Sequence, residues 1–359
     1  MLSGISGRYL NLTTKPNRRE FILTTAISGI GLSVTGATAY LKSPEQNQGG
    51  NKIGIIGLDT SHSVAFTKAL NRPEAGDEFS GYKVVAAYPN GSRDIASSVE
   101  RIPGYTAEVQ KSSVEIVNSI DELLAKVDVV MLETNDGRLH LEQALPVLRA
   151  GKRMFIDKPM TASLADAIAI FKAAKNYKVP VFSSSSLRYI TGMDEIIAGK
   201  IGRVLGAETY SPAKLEATHP DLFWYGIHGV ETLFTAMGTG CKHVVRVSNE
   251  DTDLVVGTWQ DGRIGTFRGI RKGKADYGGT VFGEKGIKML GSFTGYNPLL
   301  VQIIKFFVTG IAPVKEEETL EILAFMEAAD LSKAKNGASA DLETVMAKAM
   351  ATASDIKTE

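Results

Sequence analysis

Cysteine is almost missing from this chain: Cys241 is the only one in 359 residues, which excludes an internal disulfide framework and any multi-cysteine metal site. Net charge is missing too. With 40 basic side chains against 40 acidic ones and no long basic run, the chain lacks the electrostatic footprint of a nucleic-acid binder, so small molecules are the expected partners. Beyond the first forty residues no apolar run approaches the ~20 residues that cross a bilayer, and nothing repeats at a solenoid period. Two of the three glycines of a dinucleotide fingerprint are also absent from the stretch GLDTSHS at 57–63. What remains is a chain with 43% hydrophobic residues, long enough for two domains with separate cores.

The first segment bears on destination. TKPNRREFILTTAISGIGLSVTGATAY places Arg18 and Arg19 before a mildly apolar run rich in Gly, Ala, Ser and Thr, the pattern of a twin-arginine export signal. Ala37, Thr38 and Ala39 offer an A-x-A cleavage point before the polar linker LKSPEQNQGGN. Signal 1–39, linker 40–51 and a periplasmic destination through the twin-arginine machinery are therefore expected, or a membrane anchor if the signal is retained. Removal of the signal leaves 36 basic against 39 acidic residues.

After the linker the chain alternates. KIGIIG, YKVVAAY, DVVMLET, KRMFID and VPVFSSSS are short apolar runs of the kind buried on both faces of a parallel sheet. Helical stretches separate them. Ser119 with Glu122, and Ser163 with Asp166, are capping-box starts, and Gly151 stands as the stop of HLEQALPVLRAG. This rhythm predicts a doubly wound Rossmann domain over 52–186. From 187 to 359 strand-like runs joined by short turns such as Asp261-Gly262, and two closing helices, predict an α+β domain with a largely antiparallel sheet.

In a dinucleotide fingerprint the first glycine makes the tight turn, the second admits the pyrophosphate and the third permits close helix packing. Gly57 keeps the first role, while Asp59 and His62 occupy the other two positions. A carboxylate facing a diphosphate is repulsive unless it turns away. Asp59, Thr60 and Ser61 are all suitable helix N-caps, and the amides of that helix start, with the hydroxyls of Thr60 and Ser61, remain able to hold an anion. The acid that would bind an adenosine ribose is replaced after the second strand by Ser92 and Arg93, which leans the expected cofactor from NAD toward NADP.

The opening IGIIGL, the loop and His140 of VVMLETNDGRLHLEQA, the triplet DKP at 157–159, IGRVLGAE, QDGRIGTF and EEETLEILAFMEAADLS occur in an order that resembles the Gfo/Idh/MocA family of glucose-fructose oxidoreductase, inositol dehydrogenase and rhizopine-catabolism proteins. The resemblance implies a Rossmann domain followed by an open antiparallel sheet, and an NAD(P)-dependent oxidoreductase acting on a sugar or polyol. It puts Lys158 of Asp-Lys-Pro between cofactor and substrate, and His228 of FWYGIHGVE at the catalytic histidine. Gly57, Thr60, Ser61, Ser92, Arg93, Thr134, His140 and Lys158 become candidates for the cofactor, and Arg188, Trp224 and Tyr225 for the substrate. The family's acid four positions before the histidine is Trp224 here, so Asp221 is the candidate replacement, or the histidine acts without one. Chemically, oxidation of a secondary alcohol requires a group to take the hydroxyl proton, and a histidine titrating near neutrality suits that task.

His219, Asp221, His228 and Glu231 lie close in sequence, but their spacing matches no standard zinc site, and no metal is expected. An exported enzyme would have to carry its cofactor tightly bound. Two other functions stay open: a redox-neutral glycosidase that restores its cofactor at each turnover, and a carbohydrate-binding protein that has lost nucleotide. A homo-oligomer through the open sheet is a further expectation of the resemblance.

Overall fold

The computed structural model describes residues 50–358; the expected twin-arginine signal and its expected cleavage point lie outside the described residues. Six strands form the first sheet: β1 (Lys52–Ile56), β2 (Lys83–Tyr88), β3 (Glu115–Ile116), β4 (Val129–Leu132), β5 (Met154–Ile156) and β6 (Val181–Ser183). Their order is β3-β2-β1-β4-β5-β6 and every pairing is parallel, the doubly wound arrangement whose strand order reverses between β1 and β4. Ligands bind such sheets beyond the strand ends at that reversal. β4 and β5 are buried along their whole length, which is why their sequences show no polar alternation.

Both capping residues behave as their sequences require. The Ser119 hydroxyl accepts the Glu122 N–H at 3.1 Å, and that of Ser163 accepts the Asp166 N–H at 3.1 Å. The Glu122 carboxylate reaches back to the Asn118 N–H rather than to Ser119.

The second sheet has seven strands: β7 (Val204–Pro212), β8 (Cys241–Ser248), β9 (Thr252–Trp259), β10 (Ile264–Ile270), β11 (Gly278–Gly283), β12 (Gly286–Leu290) and β13 (Ala340–Asp341). The order is β12-β11-β7-β10-β9-β8-β13, antiparallel except for the β10–β7 pair. One face covers the helices Ile227–Met237 and Glu316–Ala334. On the rest of the sheet Leu205, Tyr210, Val247, Ile264, Ile287 and Met289 are exposed. The helix Asn297–Thr309 returns to the first sheet, where Leu299, Leu300, Ile303, Phe306 and Phe307 share a core with Ile53, Phe155 and Phe182. Among the described residues no helix is long and apolar enough to cross a membrane.

Candidate functional site

Gly57 follows β1 with φ +89°, and a Cβ there would lie 2.5 Å from the Thr134 backbone nitrogen. Only glycine makes this turn, which brings the helix Ser61–Asn71 to the switch point. Thr60 is the N-cap, but its side chain makes no capping bond, so the expected capping by this cluster is not realised. Asp59 turns away instead. Its carboxylate is fully buried and accepts the N–H of Ser92 at 3.0 Å and of Asn135 at 2.9 Å. Burial pushes its carboxyl up, and the two backbone donors pull it part of the way back.

Asp59 thereby joins the loop after β2 to the loop after β4. The same loops meet again: the Ser92 hydroxyl donates to Asp136 at 3.0 Å, and Arg138 binds Asp136 at 2.9 Å and Asp94 at 2.5 Å. His219 Nε2 lies 3.2 Å from Asp136 Oδ1 but out of line for a hydrogen bond. Burial opposes the ionisation of Asp136, but His219 and Arg138 hold its carboxyl well below the usual range.

A cavity of about 220 Å³ opens where the first sheet meets the second domain. Thr60, Ser61, Asn135, Lys158, Tyr225 and His228 line it, with Tyr277, Phe293 and Tyr296 as its aromatic wall. The Tyr277 hydroxyl donates to that of Tyr225 at 3.2 Å. Lys158 arrives from the turn after β5 and His228 from the first turn of the helix Ile227–Met237. His228 Nδ1 is 2.7 Å from Ser185 Oγ, which also accepts the Leu187 N–H at 3.1 Å. A hydroxyl gives or takes a proton, so Ser185 fixes the ring in either tautomer and leaves Nε2 for a ligand.

Burial and the neighbouring Lys158 charge hold the His228 imidazole well below its ordinary value of 6.5, so near pH 7 it is neutral and able to take a proton. The depressed value has a sign for stability. Above about 6.5 its contribution is complete, and it is lost as pH falls from there toward the folded-state value, because the unfolded chain binds the proton first. His228→Gln is expected to flatten the decline in melting temperature between about pH 6.5 and 5; an unaltered profile would contradict a buried neutral ring.

On the cavity floor, His62 Nδ1 lies 3.0 Å from Asp157 Oδ1 and 3.8 Å from Glu133 Oε2. Burial and the Asp157 charge push Glu133 well above the usual carboxylate range. Burial would also raise Asp157, but the His62 and Lys158 charges hold it at about 2. Neither this cluster nor Tyr277 and Tyr296 was anticipated from the sequence. A usable signal existed in Glu133, a carboxylate immediately after a wholly apolar strand.

Of the candidate residues, Thr60, Ser61, Lys158, Tyr225 and His228 meet at the cavity. Others do not reach it. His140 is buried with Nδ1 2.9 Å from the Met160 carbonyl and Nε2 2.7 Å from that of Thr134, a clamp between loops. Thr134 is buried behind Gly57, and Ser92 is consumed by the bridge. Arg188 is buried against Glu231 and Glu318, so its charge is satisfied within the protein. Trp224 packs on His219 at 5.0 Å between ring centres. Asp221 cannot replace the family's acid beside His228, because it binds Arg246 at 2.9 Å and Lys333 at 2.5 Å, which hold its carboxyl down against burial. His219, Asp221, His228 and Glu231 thus turn to four different sets of partners.

A dinucleotide would fit here at its two ends. Arg93 borders a second recess of about 300 Å³ with Asn90, Gly91, Leu139 and Gln143, and the helix start with Asn135 and Lys158 borders the first. The loops after β1 and β2 are tied to the loop after β4 by the bridge from Asp59, Ser92 and Asp94 to Asn135, Asp136 and Arg138.

Comparison with known proteins agrees with this architecture. Residues 51–185 match the model of the GFO_IDH_MocA oxidoreductase family, NAD-binding Rossmann fold. A 1,5-anhydro-D-fructose reductase of Ensifer adhaerens is 33% identical over 124 residues, 32% of this chain and 36% of that enzyme; the chain thus spans about a third of the curated relative's length. A probable dehydrogenase from Thermotoga maritima superposes with a TM-score of 0.66 at 19% identity, over 82% of this chain and 99% of the other. Scyllo-inositol dehydrogenase from Lactobacillus casei, with bound NAD(H) and scyllo-inositol, gives 0.64 at 15% identity, over 81% and 99%. At these identities the structures establish the fold alone, and its doubly wound parallel sheet followed by a mainly antiparallel one is the fold class anticipated from the sequence.

Proposed function

We propose that this chain, whose residues 51–185 match the model of the GFO_IDH_MocA oxidoreductase family, is an NAD(P)-dependent oxidoreductase of that family acting on a sugar or polyol. The observation that carries the reading is the meeting of Lys158 and His228 at one cavity walled by tyrosines. At about 220 Å³ the cavity is smaller than the ~300–1,000 Å³ sites of drug-sized ligands, which restricts the substrate to a small molecule. Tyrosine faces and hydroxyls match the alternating apolar and polar surface of such a molecule.

Thr60, Ser61, Asn135 and Lys158 would hold the nicotinamide end and Arg93 the adenosine end, where an arginine favours the extra phosphate of NADP. When bound, the nicotinamide supplies the acceptor or donor of a hydride. The chain's own task is the proton. The Lys158 ammonium stabilises negative charge developing on the substrate oxygen, and neutral His228 takes the hydroxyl proton at Nε2 or returns it in the reverse direction, with Ser185 holding the ring.

The bridge suits a cofactor that is enclosed as the chain folds and then retained, as an exported enzyme requires. It also favours a second reading, a redox-neutral glycosidase, because a trapped cofactor is best used in a reaction that restores it each turnover. A homo-oligomer through the exposed sheet residues completes the proposal.

The test is to denature the purified protein and identify released nucleotide by mass spectrometry. Stoichiometric nicotinamide dinucleotide supports the reading. Protein that is empty, gains no thermal stability from NAD+ or NADP+, and binds a sugar calorimetrically without turnover would replace it with a carbohydrate-binding role. Arg138→Ala removes two ion pairs of the bridge, to exposed Asp94 and to buried Asp136, so dinucleotide exchange is expected to become easier and Kd to fall. Unchanged binding would mean that the bridge is no barrier.

A further inference from the structure

We propose that His62, Glu133 and Asp157 form a binding site for one divalent transition-metal ion, Zn2+ or Mn2+, at the floor of the cavity. These are the only residues among those described whose His, Cys or carboxylate ligand atoms converge as a group of three, all within 4.8 Å of one another. Each side chain is buried. His62 Nδ1, Asp157 Oδ1 and Glu133 Oε2 come from three separate points of the fold: the start of the first helix, the end of β5 and the end of β4. All three points sit at the switch of the sheet.

A second observation points to a ligand. Both oxygens of Glu133 and Oδ2 of Asp157 are buried without a hydrogen-bond partner. A buried carboxyl group left this way is costly unless a proton or a cation completes it. No ion pair within 4.0 Å joins the neighbouring Lys158 to either carboxylate, so its charge reaches them only at a distance; Lys158 itself lines the cavity. His62 is fixed from behind, its ring edge-on to Tyr296 at 4.4 Å and tilted against Phe66 at 5.5 Å.

The donor set narrows the ion. One imidazole nitrogen and two carboxylate oxygens suit Zn2+ or Mn2+ better than Ca2+ or Mg2+, which prefer all-oxygen sites. Around an ion with bonds of about 2.1 Å, neighbouring ligands lie about 3 to 3.5 Å apart. The two separations from His62, 3.0 and 3.8 Å, lie near that range, and the three ligand atoms stay within 4.8 Å of one another. His62 and Asp157 line the cavity, so the ion's remaining positions would face it and take water or a hydroxyl of the ligand, acting as a Lewis acid. The site stands on these three residues and does not depend on the redox reading.

The experiment uses the full untagged chain, stripped with chelator and titrated calorimetrically with ZnCl2 and with MnCl2 in the absence of nucleotide and sugar. About one ion per chain is expected for at least one metal. Loss of a ligand should weaken Kd by at least the 10–100-fold typical of losing an outer-shell partner, both in His62→Ala and in Glu133→Gln. The second variant guards against misfolding, because replacing an unpartnered buried carboxyl by an amide should leave the metal-free melting temperature equal or higher. Absence of saturable binding by both ions in the wild type, or equal affinity in both variants, would overturn the site. Metal binding without nucleotide release would separate this proposal from the fate of the oxidoreductase reading.

Discussion

Lys158→Met is expected to lower turnover by about 10²–10⁴-fold, the range for removing a positioned proton-transfer group, with a smaller change in KM. The measurement is steady-state kinetics on whichever sugar or polyol the wild type turns over with NAD+ or NADP+. Methionine fills nearly the same length, so the cavity keeps its shape. A further consequence separates chemistry from structure: the Lys158 charge helps to depress the His228 imidazole. Without it the histidine pKa rises, and the acid limb of the rate profile moves to higher pH. An unchanged kcat would remove Lys158 from the reaction, and a lowered kcat with an unmoved acid limb would remove His228.

Arg188→Met carries the largest expected loss of stability, about 3–5 kcal/mol for breaking a buried pair from one side. Arg188 Nε is 2.9 Å from Glu231 and Nη2 is 2.6 Å from Glu318. Glu231 is buried and also accepts the Ser184 hydroxyl and the Ser185 N–H, so it holds the segment that orients His228. Burial already raises the Glu231 carboxyl above its ordinary 4.5, and Arg188 opposes that rise. Loss of the arginine raises it further. The folded variant then binds a proton that the unfolded chain releases near 4.5, and the deficit grows as pH climbs from about 4.5 toward the raised folded value. Denaturant unfolding at pH 5 and pH 8 should show the larger loss at pH 8. Pairing the change with Glu231→Leu should recover part of the stability, since no buried charge remains. A deficit that is equal at both pH values would mean that Glu231 is already neutral.

The fold was legible because its signals are local. β4 and β5 are apolar throughout, and β1 is apolar after Lys52, since both faces of a parallel sheet are covered, and serine caps mark the helix starts after residues 119 and 163. Lys158, His228, Tyr225, Thr60 and Ser61 were legible through motif order, and they do meet at one cavity. Arg188 and Trp224 were not, because a polar or aromatic residue near a motif can point into the site or into the core, and that choice depends on partners such as Glu318, 130 residues away.

By itself, then, the sequence determined the doubly wound sheet, the open second sheet and the loss of two phosphate-loop glycines, all properties of residues close together in the chain. Tertiary structure alone decided what replaced those glycines. Asp59 became a tie between the loops after β2 and β4, and His62 met Glu133 and Asp157. Both outcomes depend on which strand ends lie side by side, and β1 lies between β2 and β4 because parallel strands pair across crossovers whose partners no local pattern specifies.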